Sequence, residues 1–151
     1  MTPIVMLDQL VERLKSIVSN FELPSNVEGV KKAPQVLAGY LPEKRQNQDQ
    51  PDLPYVIARF LGDNETDEQA TATVKIIVGT YSKDQKDGWR DTLNVLTRIK
   101  QELLARPVFG GSFLVARPIK TELPEEHPYP EWWGTITLDV IIPQMEEEGG
   151  F

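Results

Sequence analysis

Residues 86–143 read KDGWRDTLNVLTRIKQELLARPVFGGSFLVARPIKTELPEEHPYPEWWGTITLDVIIP. Trp89, Leu93, Leu96, Ile99 or Lys100, and Leu103 recur at helical spacing, with Val95 and Leu104 widening the stripe. The spacing predicts a helix from Ser82 to Arg106, with Ser82, Asp84 or Asp87 as its cap. Pro107 ends it, because the residue before a proline is pushed out of helical geometry. Gly110-Gly111 turns the chain into a strand from Phe113 to Ile119, where Pro118 signals an edge position or a bulge. An acidic, proline-rich loop follows. The last strand runs from Trp132 to Ile142, with Trp132, Gly134, Ile136, Leu138, Val140 and Ile142 on one face and Thr135, Thr137 and Asp139 on the other. Every part of this block reads as architecture.

Working toward the N-terminus, Ala70 to Tyr81 is the clearest strand. Ala70, Ala72, Val74, Ile76 and Val78 share a face opposite Thr71, Thr73 and Lys75. Tyr55 to Leu61 is a second strand by its β-branched and aromatic content, and the acidic stretch Gly62–Gln69 makes the pair a hairpin. The polar run from Pro42 to Pro54 holds no apolar residue before Leu53 and cannot enter a core. Val36 to Leu41 reads as a short strand weakened by Gly39, while Val27 to Pro34 stays ambiguous. Thr2 to Phe21 reads as a helix with Thr2 as N-cap, Pro3 in the first turn, and Ile4, Leu7, Val11, Leu14, Val18 and Phe21 in its stripe, widened by Leu10 and Ile17. Fewer than three heptads fit this helix, which favours packing on a sheet over a coiled-coil seam.

The expected fold is therefore α/β of the α+β type. Two helices lie on one face of a mostly antiparallel sheet of four to five strands, in the order α-β-β-β-α-β-β. Residues 1–143 form one domain, and residues 144–151 a flexible acidic tail. The second sheet face mixes Thr, Lys and Asp with Ile57, Leu61, Ile77 and Ile141, so a partner subunit is a natural cover for it.

Length and composition agree. The chain has 151 residues, 40% apolar and 26% charged, which suits one soluble domain with a real core. A formal charge of −7 gives it no electrostatic reason to bind nucleic acid or an anionic membrane broadly. The absence of cysteine excludes disulfides, thiolate metal sites and cysteine nucleophiles. No basic segment precedes Ile4-Val5-Met6-Leu7, so no secretory signal is expected, and no apolar run approaches the ~18 residues of a membrane span.

Few residues invite a chemical reading. His127 is the only histidine, and no second nitrogen or sulfur ligand accompanies it; it reads as a loop histidine between acids and prolines. Asp63-Asn64-Glu65-Thr66-Asp67-Glu68 starts like a calcium loop, but Glu68 replaces the turn glycine and Val74 the bidentate glutamate. Glu125-Glu126 offer no facing carboxylate, no serine sits in a Gly-x-Ser-x-Gly context, and Gly110-Gly111 is not a phosphate loop. Of Tyr129, Trp132 and Trp133, alternation sends one tryptophan inward and offers the other to an interface. The chain reads as a non-enzyme without cofactor or metal.

Two segments carry a family resemblance. Lys86-Asp87-Gly88-Trp89-Arg90-Asp91-Thr92-Leu93-Asn94-Val95-Leu96, followed by Arg98 to Leu104, resembles the second helix of tail-terminator (tail-completion) proteins of long-tailed bacteriophages and prophages. Pro128-Tyr129-Pro130-Glu131-Trp132-Trp133-Gly134 through Pro143 resembles their final strand. Together they cover somewhat under half of the chain. The resemblance implies a structural virion protein that forms a six-fold homo-oligomeric ring on the head-proximal end of the tail tube, assembled in the bacterial host cytoplasm. Such a ring stops tube polymerisation and docks the head-tail connector; the free subunit can stay monomeric until it meets its template. Its implied partners are itself, the tail-tube protein and the connector, with no specific nucleic-acid recognition and no membrane.

On that reading the outer sheet face makes subunit contacts, and the loops around Glu43, Lys44 and Arg45 and around Asp63, Glu65 and Asp67 reach the tube or connector. Tyr129 and Trp133 are the aromatic interface candidates. The rival expectations are a small ligand-binding or regulatory α/β domain, an enzyme subunit completed by another chain, and another morphogenesis factor such as a head-completion protein.

Overall fold

The Thr2 hydroxyl accepts the Val5 N–H at 3.2 Å and so caps the first helix, with Pro3 in its first turn. A computed structural model describes residues 2–41 and 53–143. In chain order the elements are helix α1 (Pro3–Val18), strands β1 (Leu23–Pro24), β2 (Lys31–Lys32), β3 (Gln35–Ala38), β4 (Tyr55–Glu65) and β5 (Ala70–Tyr81), helix α2 (Trp89–Ala105), and strands β6 (Val108–Phe109), β7 (Phe113–Glu122) and β8 (Glu131–Ile142). Leaving out the two-residue strands, the order is α-β-β-β-α-β-β, as the periodicity predicts.

The main sheet has six strands in the order β3-β4-β5-β8-β7-β6. Two-residue β6 adds a strand that the sequence pattern was too short to signal. All neighbours pair antiparallel except β3 with β4, which run parallel. β1 and β2 form a separate antiparallel ribbon; only β2 falls in the Val27–Pro34 stretch whose reading stayed open, and β1 was not anticipated.

Both helices pack on one face. From α1 come Met6, Leu10, Leu14, Ile17 and Val18; from α2, Val95, Leu96, Ile99 and Leu103. They meet the inward rows of β5 (Ala72, Val74, Ile76, Val78) and β8 (Ile136, Leu138, Val140) in one apolar core. Under α2 the hydroxyls of Thr80 and Thr92, both buried, are bonded at 2.6 Å, so neither is stranded among apolar neighbours.

Several boundaries differ from the sequence reading, each for a local reason. α1 ends at Val18, not Phe21, whose N–H bonds back to Val18 O in the closing turn. Ile4 stands 71% exposed, and Met6 takes its place in the buried row Met6-Leu10-Leu14. α2 begins at Trp89, not Ser82. The Asp84 carboxylate accepts the N–H groups of Lys86 and Asp87, closing a turn ahead of the helix, and Gly88 enters with no side-chain cap. Its stripe turns accordingly: Thr92 is buried, while Trp89, Leu93 and Lys100 are half-buried.

β3 stops at Ala38 because Gly39 adopts φ 86°, so Gly39 to Leu41 do not extend the strand. β4 continues to Glu65 because β5 pairs with it along almost its full length, shortening the hairpin link to Thr66–Gln69. A register shift between Phe60 and Gly62 sets Leu61 out as a bulge. Pro118 lies within a second register shift, between Ala116 and Lys120, where no described strand borders β7 on its outer side. The range 144–151, expected to be a tail, lies outside the described residues.

Candidate docking surface

The face away from the helices is built by register alone. At one end, Leu37, Ile57, Ile77, Thr135 and Glu122 line up across β3, β4, β5, β8 and β7. Tyr55, Gly79 and Trp133 form the next row, and a Cβ at Gly79 would strike the Tyr55 phenol, so that side chain lies across the glycine. Arg59, Lys75, Thr137 and Lys120 form a polar row in the middle. Beyond it the Thr73 hydroxyl donates to the Asp139 carboxylate at 2.8 Å. The far end is apolar again, with Ile141, Leu114 and Val108 abreast. No described helix covers this face.

Trp133 is its most prominent side chain, 37% exposed beside a hollow of about 220 Å³ that Lys75, Glu122 and Thr135 also line. Trp132, one residue earlier, turns to the other side. Its indole Nε1 donates to Ser82 O at 3.0 Å, and its face meets His127 with ring centroids 4.9 Å apart. Gly88 makes room for that indole, since a Cβ there would overlap it. The inward and outward roles that alternation predicts for the two tryptophans are therefore both present.

Tyr129 is 46% exposed, yet its hydroxyl donates to Lys83 O at 2.7 Å, and the Ser82 N–H donates to Pro130 O at 3.0 Å. The loop before β8 is thus fastened to the loop after β5 through Tyr129, Pro130 and Trp132. Within this latch, His127 Nδ1 accepts the Trp133 N–H at 3.2 Å. Burial pushes the His127 pKa down, and a backbone hydrogen bond with Pro124 opposes this. A histidine whose folded pKa lies below its unfolded value of about 6.5 stabilises the fold above that value and loses the contribution as pH falls through the folded pKa. Charging Nδ1 also removes the lone pair that holds the Trp133 N–H. The expected result is a fall in the protection factor of the Trp133 amide, after correction for the intrinsic pH dependence of exchange, and a shift of its resonance between pH 7.5 and 5, both absent in His127→Ala. A flat titration of that amide would contradict the latch.

The interaction candidates do not converge. Asp63 and Glu65 lie on β4, opposite Ala72 and Ala70, and Asp67 sits in the hairpin turn. Trp133 and Tyr129 belong to the opposite end, nine residues up β5 or roughly 30 Å away. Glu43, Lys44 and Arg45 lie outside the described residues. Missed entirely was a cleft of about 620 Å³ between the β1–β2 ribbon and Tyr81–Lys83. Among the described residues, no group of three or more His, Asp or Glu is arranged to hold a metal ion, and no helix is long and apolar enough to cross a membrane.

No family model matches the chain, and no curated protein matches it. Among the solved chains that do match is one with no descriptive name, which superposes with a TM-score of 0.59 at 15% identity and covers 97% of this chain and 99% of its own. At that identity the likeness shows the fold alone: the α+β arrangement recurs along essentially the full length of both chains.

Proposed function

We propose that this protein is a ring-forming structural subunit that caps the tail tube of a long-tailed bacteriophage, ends tube polymerisation and presents a surface to the head connector. One observation above all supports the reading. The helices cover a single sheet face, and the other carries Trp133, Tyr55, Ile77, Leu114 and Val108 around a polar centre. That alternation of apolar ends and a charged middle suits a surface meeting another folded protein, since interfaces combine apolar anchors with polar surroundings. The long-tailed phage assignment itself comes from the resemblance of α2 and β8 to tail-terminator proteins.

The test is mass in solution by light scattering, with and without tail-tube protein, followed by electron microscopy of tube ends. A discrete ring, alone or on the tube, and tubes of fixed length are expected. A monomer indifferent to the tube, with tubes growing unchecked, would overturn the reading.

A further inference from the structure

The cleft between the ribbon and the end of β5 is a preformed site. Ser25, 3% exposed, holds its rim: the hydroxyl accepts the Val27 N–H at 3.2 Å and donates to Val27 O at 3.1 Å. The Asn26 side-chain oxygen accepts the Leu53 N–H at 3.2 Å, tying the rim to the start of β4. The Ser25 N–H bonds to Val30 O at 3.0 Å and closes the ribbon turn. The opposite wall is Tyr81, Ser82 and Lys83, fixed in turn by the Tyr129 and Trp132 bonds. Inside, Pro24, Val27, Val30 and Tyr81 give apolar surface, with Lys31 and Lys83 at the edges. Glu28 is the one acidic residue in the lining. Both lysines are exposed, and among the described residues neither is ion-paired.

In a chain of net charge −7, a half-apolar cleft edged by two unpaired lysines calls for an acidic segment with apolar flanks. The sequence contains one run of three consecutive acids, Glu146-Glu147-Glu148, with Met145 on one side and Phe151 beyond Gly149-Gly150 on the other. We propose that this cleft receives the Glu146–Glu148 segment of a second copy of the chain.

Reach decides between the same copy and another. β8 ends at Ile142, paired with Ala70 at the start of β5, whereas the cleft lies against Tyr81 at its end. Eleven residues of strand separate them, roughly 36 Å. A fully extended chain leaving Pro143 brings Glu148 at most about 18 Å away and Phe151 about 29 Å. The segment cannot return to its own cleft, but it can enter a neighbour's. A contact between different surfaces of identical subunits is head-to-tail and closes into a ring when its rotation permits. That closure rests on the function proposed above; the binding of the segment to the cleft does not.

The test adds a synthetic peptide, residues 144–151, to the chain ending at Pro143, read by amide shifts. Shifts at Lys31, Tyr81 and Lys83 are expected, with affinity falling at least tenfold in Lys83→Glu, rising in Glu28→Gln, and weakening with salt. Should the truncated chain fail to fold, the full chain with Glu146, Glu147 and Glu148 all changed to Gln replaces it, and loss of concentration-dependent association by sedimentation is the readout. Shifts confined to the open sheet face, or binding untouched by Lys83→Glu, would overturn the proposal. A tube-capping ring that forms without residues 144–151 would remove this contact from ring closure and leave the ring reading standing. Peptide binding in the cleft with no ring on any tube would sink the ring reading and leave the contact standing.

Discussion

Leu96→Ala is expected to lower stability by about 3 kcal/mol, within the range for removing a buried leucine. For a chain of this length that corresponds to a fall in Tm of roughly 6–12 °C. Leu96 is fully buried on α2, and its terminal methyl fills the space a side chain at Gly134 would need. A Cβ at Gly134 would stand 2.7 Å from Leu96 Cδ1, 2.6 Å from Leu123 Cδ2 and 3.0 Å from Glu122 O. Gly134→Ala alone is therefore expected to cost about 2 kcal/mol through overpacking. The pair gives the sharper result. In the double variant the new methyl occupies space that the leucine vacated, so the combined loss should fall at least 1 kcal/mol short of the sum. Urea denaturation of all four proteins measures this. Strict additivity would mean that Leu123 Cδ2 and Glu122 O, rather than Leu96, set the cost of a side chain at this glycine.

Trp133→Ala is expected to leave stability within about 1 kcal/mol of wild type and to disable assembly. The indole is 37% exposed and lies beside the hollow lined by Lys75, Glu122 and Thr135, so the isolated fold gives up little when it is lost. An aromatic anchor at an interface between copies contributes about 2 kcal/mol or more, roughly thirtyfold in each contact. In the proposed ring each contact repeats around the circumference, so the defect would compound. Sedimentation with tube protein present reads assembly, and thermal melting of the free protein reads the fold. Unchanged assembly would remove the open sheet face from the interface. Trp132→Ala serves as the contrast: it should unfasten the loop before β8 and lower the melting temperature, because Trp132 Nε1 is bonded to Ser82 O.

Much of the architecture can be read along the chain because its strongest elements are locally periodic. β5 alternates from Ala70 to Ile76 before its second face turns apolar at Ile77, and the structure places it from Ala70 to Tyr81, as the pattern predicts. β8 begins one residue earlier than its pattern suggests and buries the expected face. Thr2 announces α1 because a cap is a contact three residues long. The start of α2 is harder to place, since Ser82, Asp84 and Asp87 are chemically equivalent candidates, and Asp84 spends its acceptors on a preceding turn. The parallel pairing of β3 with β4 and the β1–β2 ribbon depend on contacts distant in sequence and leave no period to find. The surface is less legible still. Whether Asp63 and Trp133 are neighbours depends on strand lengths and on one bulge at Leu61, which composition does not encode. The cleft joins two segments some fifty residues apart, and neither is unusual alone.

The two margins of the sheet have a consequence for growth. One margin is β3, four residues long and ended by Gly39. The other is β7, which β6 borders only at Phe113 and Leu114; further along stand Arg117, Pro118, which has no N–H to donate, and Lys120, across a shift in register. Among the described residues, neither margin offers a foreign strand a long uninterrupted run of free backbone. The proposed contacts between copies use a face and a cleft, and these margins disfavour adding strand to strand without limit. If the tube-capping role proposed above holds, a stopper with such margins would end a polymer without its own sheet serving as a seed for fibres.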